Sequence, residues 1–346
     1  PDNARIVEEF VKYADLCFAR YGARVRFWFT FNEPWSFTVE GYDSGKSAPG
    51  CTPFQPARGR CAHGSVTPYV VSHNVLVSHA HAVRRFREAY QPKFGGVISI
   101  TLNCDFSIPA SAAAADVAAA ERANQFMLGW WLQPLLSGDY PRVMREFVGE
   151  RLPTFTPEQS RMLVGSADVL AINHYSTKLV SDMSHRAGPV DAYAAWAEDQ
   201  RVLSTWDPAW PIAESPWLHK YPPGFRSLLA WAASPASSRE GGAWPGAVYV
   251  TENGWSCRSM SAEAAVRDEE QVAYLTDYTE QMRLAMVEDG VDLRGYFGWS
   301  LLDNYEWSDG YSKRFGIFFV DYATQQRTPK AAAEWFRGIS HPTCAR

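Results

Sequence analysis

Five short runs of this chain are apolar along their whole length, and no other feature restricts its fold as much. They are RVRFWFTFNE (24–33), GGVISITLN (95–103), ADVLAINHYS (167–176), GAVYVTENGW (246–255) and LRGYFGWSLLDN (293–304). A strand with one wet face alternates polar and apolar residues, whereas one apolar throughout is covered on both faces. Segments with helical spacing lie between and around the runs, at 3–20, 68–90, 112–137, 157–164, 223–233, 268–289 and 329–338. The first places Ile6, Phe10, Tyr13, Cys17 and Phe18 on one face and stops at Gly22. The second opens on Thr67 as cap with Pro68 in its first turn. This alternation predicts an α/β fold with a parallel sheet covered by helices. No repeat or low-complexity linker divides residues 1–346, which read as a single domain.

Composition excludes several function classes. With 346 residues, 46% of them hydrophobic, the chain can bury a sizeable core without disulfides or metal. A net charge of −5 with no basic run argues against nucleic-acid or anionic-lipid partners. No apolar stretch approaches the roughly 20 residues of a membrane helix. Six cysteines are too few for a disulfide scaffold. Cys17 and Cys104 read as core thiols. Cys51 and Cys61 bound the loop CTPFQPARGRC and either close it as a disulfide or stay apart. His73, His79 and His81 share one helix but lack the i, i+4 pairing of metal ligands, so they read as packing or surface residues and no metal site is expected. The chain starts at Pro1 and carries no N-glycosylation signal or recognisable leader, so the compartment is left open.

A doubly wound sheet and a (β/α)8 TIM barrel both fit the alternation. No Gly-rich phosphate fingerprint follows any strand, which disfavours the first. Several runs end in polar or aromatic residues, as in barrels whose chemistry sits at the carboxyl ends of the strands. Two of those ends are acidic: TFNEP closes on Glu33 and VTENG on Glu252, 219 positions apart. Parallel strands of one barrel would bring both to the same rim. Two facing carboxylates are what glycosidic cleavage requires, one protonating the leaving oxygen and the other attacking the anomeric carbon or activating water. A gap of about 5 Å means a covalent intermediate and retention, and a wider one means inversion.

TFNEP (30–34) and TENG (251–254), with INHY (172–175) and GYFGWSLLDNYEW (295–307), resemble glycoside hydrolase family 1. The resemblance runs to RTPKAAAEWF (327–336) and is closest to the plant-type β-glucosidases, where a Cys-bounded loop follows the first motif. It implies a (β/α)8 barrel and a retaining β-glycosidase without a cofactor, taking a small glycoside as substrate. Glu33 is then the expected acid/base and Glu252 the nucleophile. Asn32 would hold the sugar 2-hydroxyl, Asn173 would line the same mouth, and Tyr175 would orient Glu252. Trp299 would stack on the pyranose, Glu306 and Trp307 would bind its far hydroxyls, and Phe315 would line the pocket. Glu33 is expected to stay protonated beside an ionised Glu252. Members that cleave 6-phosphorylated sugars carry a small hydroxyl residue in place of Glu306, with Lys and Tyr seven and nine positions on. This chain has Glu306, Lys313 and Phe315, which suits an unphosphorylated glucoside. Glutamate rather than glutamine at position 33 favours O-glycosides over thioglucosides. Secreted, vacuolar or plastid locations follow from the resemblance, which says nothing of oligomeric state.

Against the family pattern the chain departs at its start. The likeness begins just before the fourth barrel strand, so only strands 4 to 8 have counterparts, and three βα units (at least roughly 90 residues) do not. Those units normally supply a Gln, a His-Trp pair and an Arg near the nucleophile. Three alternatives to plain hydrolysis stand beside it: a truncated, catalytically impaired member acting in sugar binding or interaction, a sugar-binding module, and transglycosylation through the same intermediate. Residues 180–223 would build the aglycone side, with Trp196, Trp206, Trp210 and Trp217 as walls.

Overall fold

The computed structural model describes residues 3–52, 64–188, 194–258 and 261–340. Five strands form its central sheet: β1 (Phe27–Asn32), β2 (Val97–Asn103), β3 (Leu170–Asn173), β4 (Val248–Asn253) and β5 (Leu293–Gly298). They pair in chain order, and every pair is parallel. These are the five apolar runs, shortened at their ends. Long helices connect them, among them Thr67–Ala89 and Glu269–Val287, and their inward faces meet the sheet in a large core, with a second cluster of Ala82, Val83, Phe86 and Ile98 beside it. Ile98, Ile172, Val248 and Val250 have no measurable exposure, as strands covered on both faces require.

Register slips occur between Phe29 and Asn32, between Ile172 and Asn173, and between Val250 and Asn253. All three lie at carboxyl ends, and a fourth, at Val248/Tyr249, lies at the start of β4. Such irregularities re-aim side chains beside functional sites.

Some local expectations change. The helix Arg5–Tyr21 buries Ala14 and Phe18 rather than a face through Tyr13, which is 63% exposed. Its contact is with Phe86 of the neighbouring helix, so the buried stripe is narrower than hydrophobicity implied. The 112–137 segment is broken by a wide turn at Gln125–Gly129. Two small sheets went unforeseen, one of Phe106–Pro109, Thr177–Asp182 and Val202–Thr205, the other of Phe318–Val320 and Arg327–Pro329. Cys104 is buried and Cys17 half-buried. Cys51 is disulfide-bonded, while its expected partner Cys61 lies outside the described residues.

Candidate active site

Glu33 sits where β1 hands over to the helix Pro34–Tyr42, its backbone in the left-handed region at φ 49°. That conformation is costly for a residue with a side chain and persists only where surroundings enforce it. The amide of Glu33 donates to the carbonyl of Thr101 on β2, at 3.0 Å. On the far side of β3, Asn173 is the register partner of Glu252 on β4.

Asn173 joins the two ends. Fully buried, it donates through Nδ2 to Oε1 of Glu33 at 2.8 Å and to Oδ1 of Asn32 at 3.2 Å. It also stands in register with Glu252 and lowers that carboxyl. Thr251 orients it, donating Oγ1 to Asn173 Oδ1 at 2.6 Å. Asn173 therefore bonds Glu33 and stands beside Glu252, and Glu252 feels the charge of Glu33. Tyr175 donates its hydroxyl to Oε2 of Glu252 at 2.8 Å. Burial, with the charges of Glu252, Glu33 and Glu306, holds that phenol well above its ordinary range, so it serves as a donor.

Burial raises the Glu33 carboxyl against hydrogen bonds from Asn173 and Ser36. It also pushes Glu252 up to about 7, helped by the charge on Glu33 and opposed by bonds from Tyr175, Asn173 and Asn32. Both carboxyls are thus raised by burial, Glu252 as well as Glu33. The reason is that the groups opposing burial at Glu252 are neutral donors, with no cation among them. Two carboxyls this close titrate as a coupled pair.

The remaining candidates come from β5 and the loop beyond it. Trp299 is half-buried and lowers the Glu306 carboxyl, which burial nonetheless pushes up to about 7. Trp307 is 77% exposed and Asn32 is also exposed. Phe315 is buried, its ring 6.1 Å from Tyr175 and 6.5 Å from Trp217. Of the four tryptophans expected to wall the aglycone side, Trp217 packs edge-on to Tyr175 at 5.6 Å. Trp196 instead packs on Trp35, Trp206 on His219 and Trp210 on Tyr221. His73 stacks on Phe155, and the buried His79 bonds Thr30, so both act in packing. Among the described residues no His, Cys, Asp and Glu cluster is arranged to hold a metal.

Sequence reading missed Ser36, Asn103 and Thr251. Ser36 stands three residues beyond Glu33 on a helix, a spacing that turns side chains toward each other. Thr251 lies just before Glu252, but only the pairing of β3 with β4 reveals its partner.

The chain matches the pattern of glycosyl hydrolase family 1 over residues 2–343. It is 39% identical to β-glucosidase 1B of Phanerodontia chrysosporium over 340 residues, 96% of this chain and 60% of that protein. To β-glucosidase 12 of Oryza sativa subsp. indica it is 40% identical over 346 residues, 97% of this chain and 65% of the relative. It thus spans less than two thirds of either relative's length. A rice β-glucosidase structure superposes with a TM-score of 0.89 at 36% identity, covering 98% of this chain and 71% of that one. A family 1 β-glucosidase of the fungus Humicola insolens, solved with glucose, also gives 0.89 at 36% identity, covering 98% and 70%. With its two acidic strand ends meeting beside Asn173, and with likeness along nearly its whole length, the chain belongs to glycosyl hydrolase family 1.

Proposed function

We propose that this chain carries the acid/base and the nucleophile of a retaining β-glycosidase acting on unphosphorylated O-linked β-glucosides. The observation that carries the reading is that Asn173 bonds Glu33 and is the strand partner of Glu252, whose carboxyl feels the Glu33 charge. In the first step Glu252 attacks the anomeric carbon while Glu33 gives its proton to the departing oxygen. A sugar ester on Glu252 and a free alcohol result. That ester removes the negative charge beside Glu33, which then loses affinity for a proton and can take one from water. The water oxygen bonds to the anomeric carbon, the ester bond breaks, and its electron pair returns to Glu252. Tyr175 would keep the nucleophile oriented, and Asn32 would meet the 2-hydroxyl.

Substrate class rests on the loop after β5. Glu306 would repel a phosphate, and Lys313 is not free to bind one. Its ammonium is occupied by the carbonyl of Glu214 at 2.6 Å and by the Glu214 carboxylate at 3.2 Å. Trp299 would provide the stacking face, Glu306 and Trp307 the far polar contacts, and Trp217 the aglycone wall, with Phe315 packed behind Tyr175. The five parallel strands fit strands 4 to 8 of a (β/α)8 barrel, folded as one domain around a large core. An aryl β-glucoside followed by proton NMR tests the reading. The β-anomer of glucose should form first, and Glu252→Gln should abolish its release. Initial formation of the α-anomer would exclude a covalent intermediate.

A further inference from the structure

Glu33 has a second partner that the double-displacement scheme leaves idle. Ser36, in the first turn of the helix Pro34–Tyr42, donates its hydroxyl to Oε2 of Glu33 at 2.8 Å. Oε1 is held by Asn173, so both carboxyl oxygens are gripped. The direction of the Ser36 bond is set from outside. Asn103, the last residue of β2, donates Nδ2 to Ser36 Oγ at 3.1 Å. With that lone pair occupied, the hydroxyl proton is left to point at Glu33. The backbone holds the same turn, since the amide of Ser36 donates to the carbonyl of Glu33 at 3.0 Å.

We infer that Ser36, oriented by Asn103, is a positioning residue that favours the ionised form of Glu33 and thereby prepares it for its base role in the second half-reaction. The inference rests on the acid/base reading of Glu33 and adds to it the device that lets one carboxyl serve both steps. A bond donated to a carboxylate stabilises the charged form. Burial and negative neighbours press the other way. The charged and titratable groups facing Glu33 are Asp105 beyond β2, Glu40 on its own helix, Glu252 on β4, Glu306 in the loop after β5, and Tyr175 after β3. Asp105 is paired with Lys178 at 3.1 Å and Glu40 with Lys46 at 2.8 Å, which blunts those two charges. Without the Ser36 donor, Glu33 would remain an acid but would more often already carry a proton near neutral pH, and so less often be free to take one from water.

Carbon-13 NMR titration of the glutamate carboxyls tests this on the chain as it exists, with the Glu33 resonance assigned by its loss in Glu33→Gln. Ser36→Ala should raise the Glu33 midpoint by about one pH unit, the value of one hydrogen bond to a charged group. Asn103→Ala should raise it by less, and Ser36→Thr, which keeps the hydroxyl, should restore it. In turnover the basic limb of kcat/KM should move up with the midpoint in Ser36→Ala, whereas a merely structural loss would lower the profile without moving it. An unchanged midpoint in Ser36→Ala, in a chain that hydrolyses glucosides, overturns the inference alone. A shifted midpoint in a chain inert toward all glycosides supports the Ser36 effect on Glu33 and counts against the hydrolase reading.

Discussion

Tyr175 is the residue on which the nucleophile depends most visibly. Its 2.8 Å bond to Oε2 of Glu252 favours the carboxylate, and the phenol is fixed by its own packing against Trp217 and Phe315. Tyr175→Phe should lower kcat/KM for an aryl β-glucoside by about tenfold to a hundredfold, the range expected for one bond to a charged group. It should also move the acid limb of the pH profile upward, and steady-state kinetics from pH 5 to 9 would show both. The parent limb follows from the same group. On the proposed mechanism Glu252 must be ionised to attack, and burial pushes it up to about 7, so activity should fall as pH drops below about 7. A limb centred near pH 4.5 would mean that the nucleophile is better stabilised than this arrangement provides. The acidic residues were legible because each closes an apolar run in a distinctive setting. Ser36 and Thr251 were not, since their roles depend on hydroxyl direction and strand pairing, which short-range patterning does not encode.

At the level of elements, the loop after β5 is held by a buried charge. Asp303 accepts from Arg314 Nη1 at 2.6 Å, from the amide of Gly316 at 3.0 Å and from that of Val320 at 3.2 Å. Its side chain is fully enclosed, and it lies between Trp299 and Glu306 in sequence. Asp303→Ala leaves Arg314 without its carboxylate and two amides unsatisfied, so it should destabilise the fold by about 3–5 kcal/mol. Urea unfolding measures the loss, and KM should rise because the loop carries Glu306 and Trp307. A change under about 1 kcal/mol would show that the loop is held by other contacts. Gly254 marks a second junction, because a Cβ there would overlap the carbonyl oxygen of Trp299. The five main strands were legible because they are apolar on both faces and seven helical segments separate or flank them. The two small sheets were not, as their strands run three to six residues without clear alternation, and cross-chain pairing rather than local pattern makes them.

In the whole molecule, the central sheet ends on β1 and β5, neither of which pairs with a further strand among the described residues. Apolar side chains cluster at these edges: Phe27 is 47% exposed, Phe297 58% and Leu301 63%. Open parallel edges with exposed aromatics favour association with other chains. Residues 1–346 expressed alone should therefore self-associate as concentration rises, and Phe297→Lys should weaken this. Sedimentation velocity over a tenfold concentration range would register the shift, and a single invariant monomer peak would show that the edges are covered.

Everything above turns on Glu33 and Glu252 working as a pair around one sugar. A 2-deoxy-2-fluoro-β-glucoside with a good leaving group slows both steps, but the second more, so the sugar ester accumulates. Peptide mass spectrometry of the treated chain should then find one fluoroglucosyl group on Glu252, and none in Glu252→Gln. A label on any other residue, or none in a chain that still releases the leaving group, would contradict the assignment of the nucleophile.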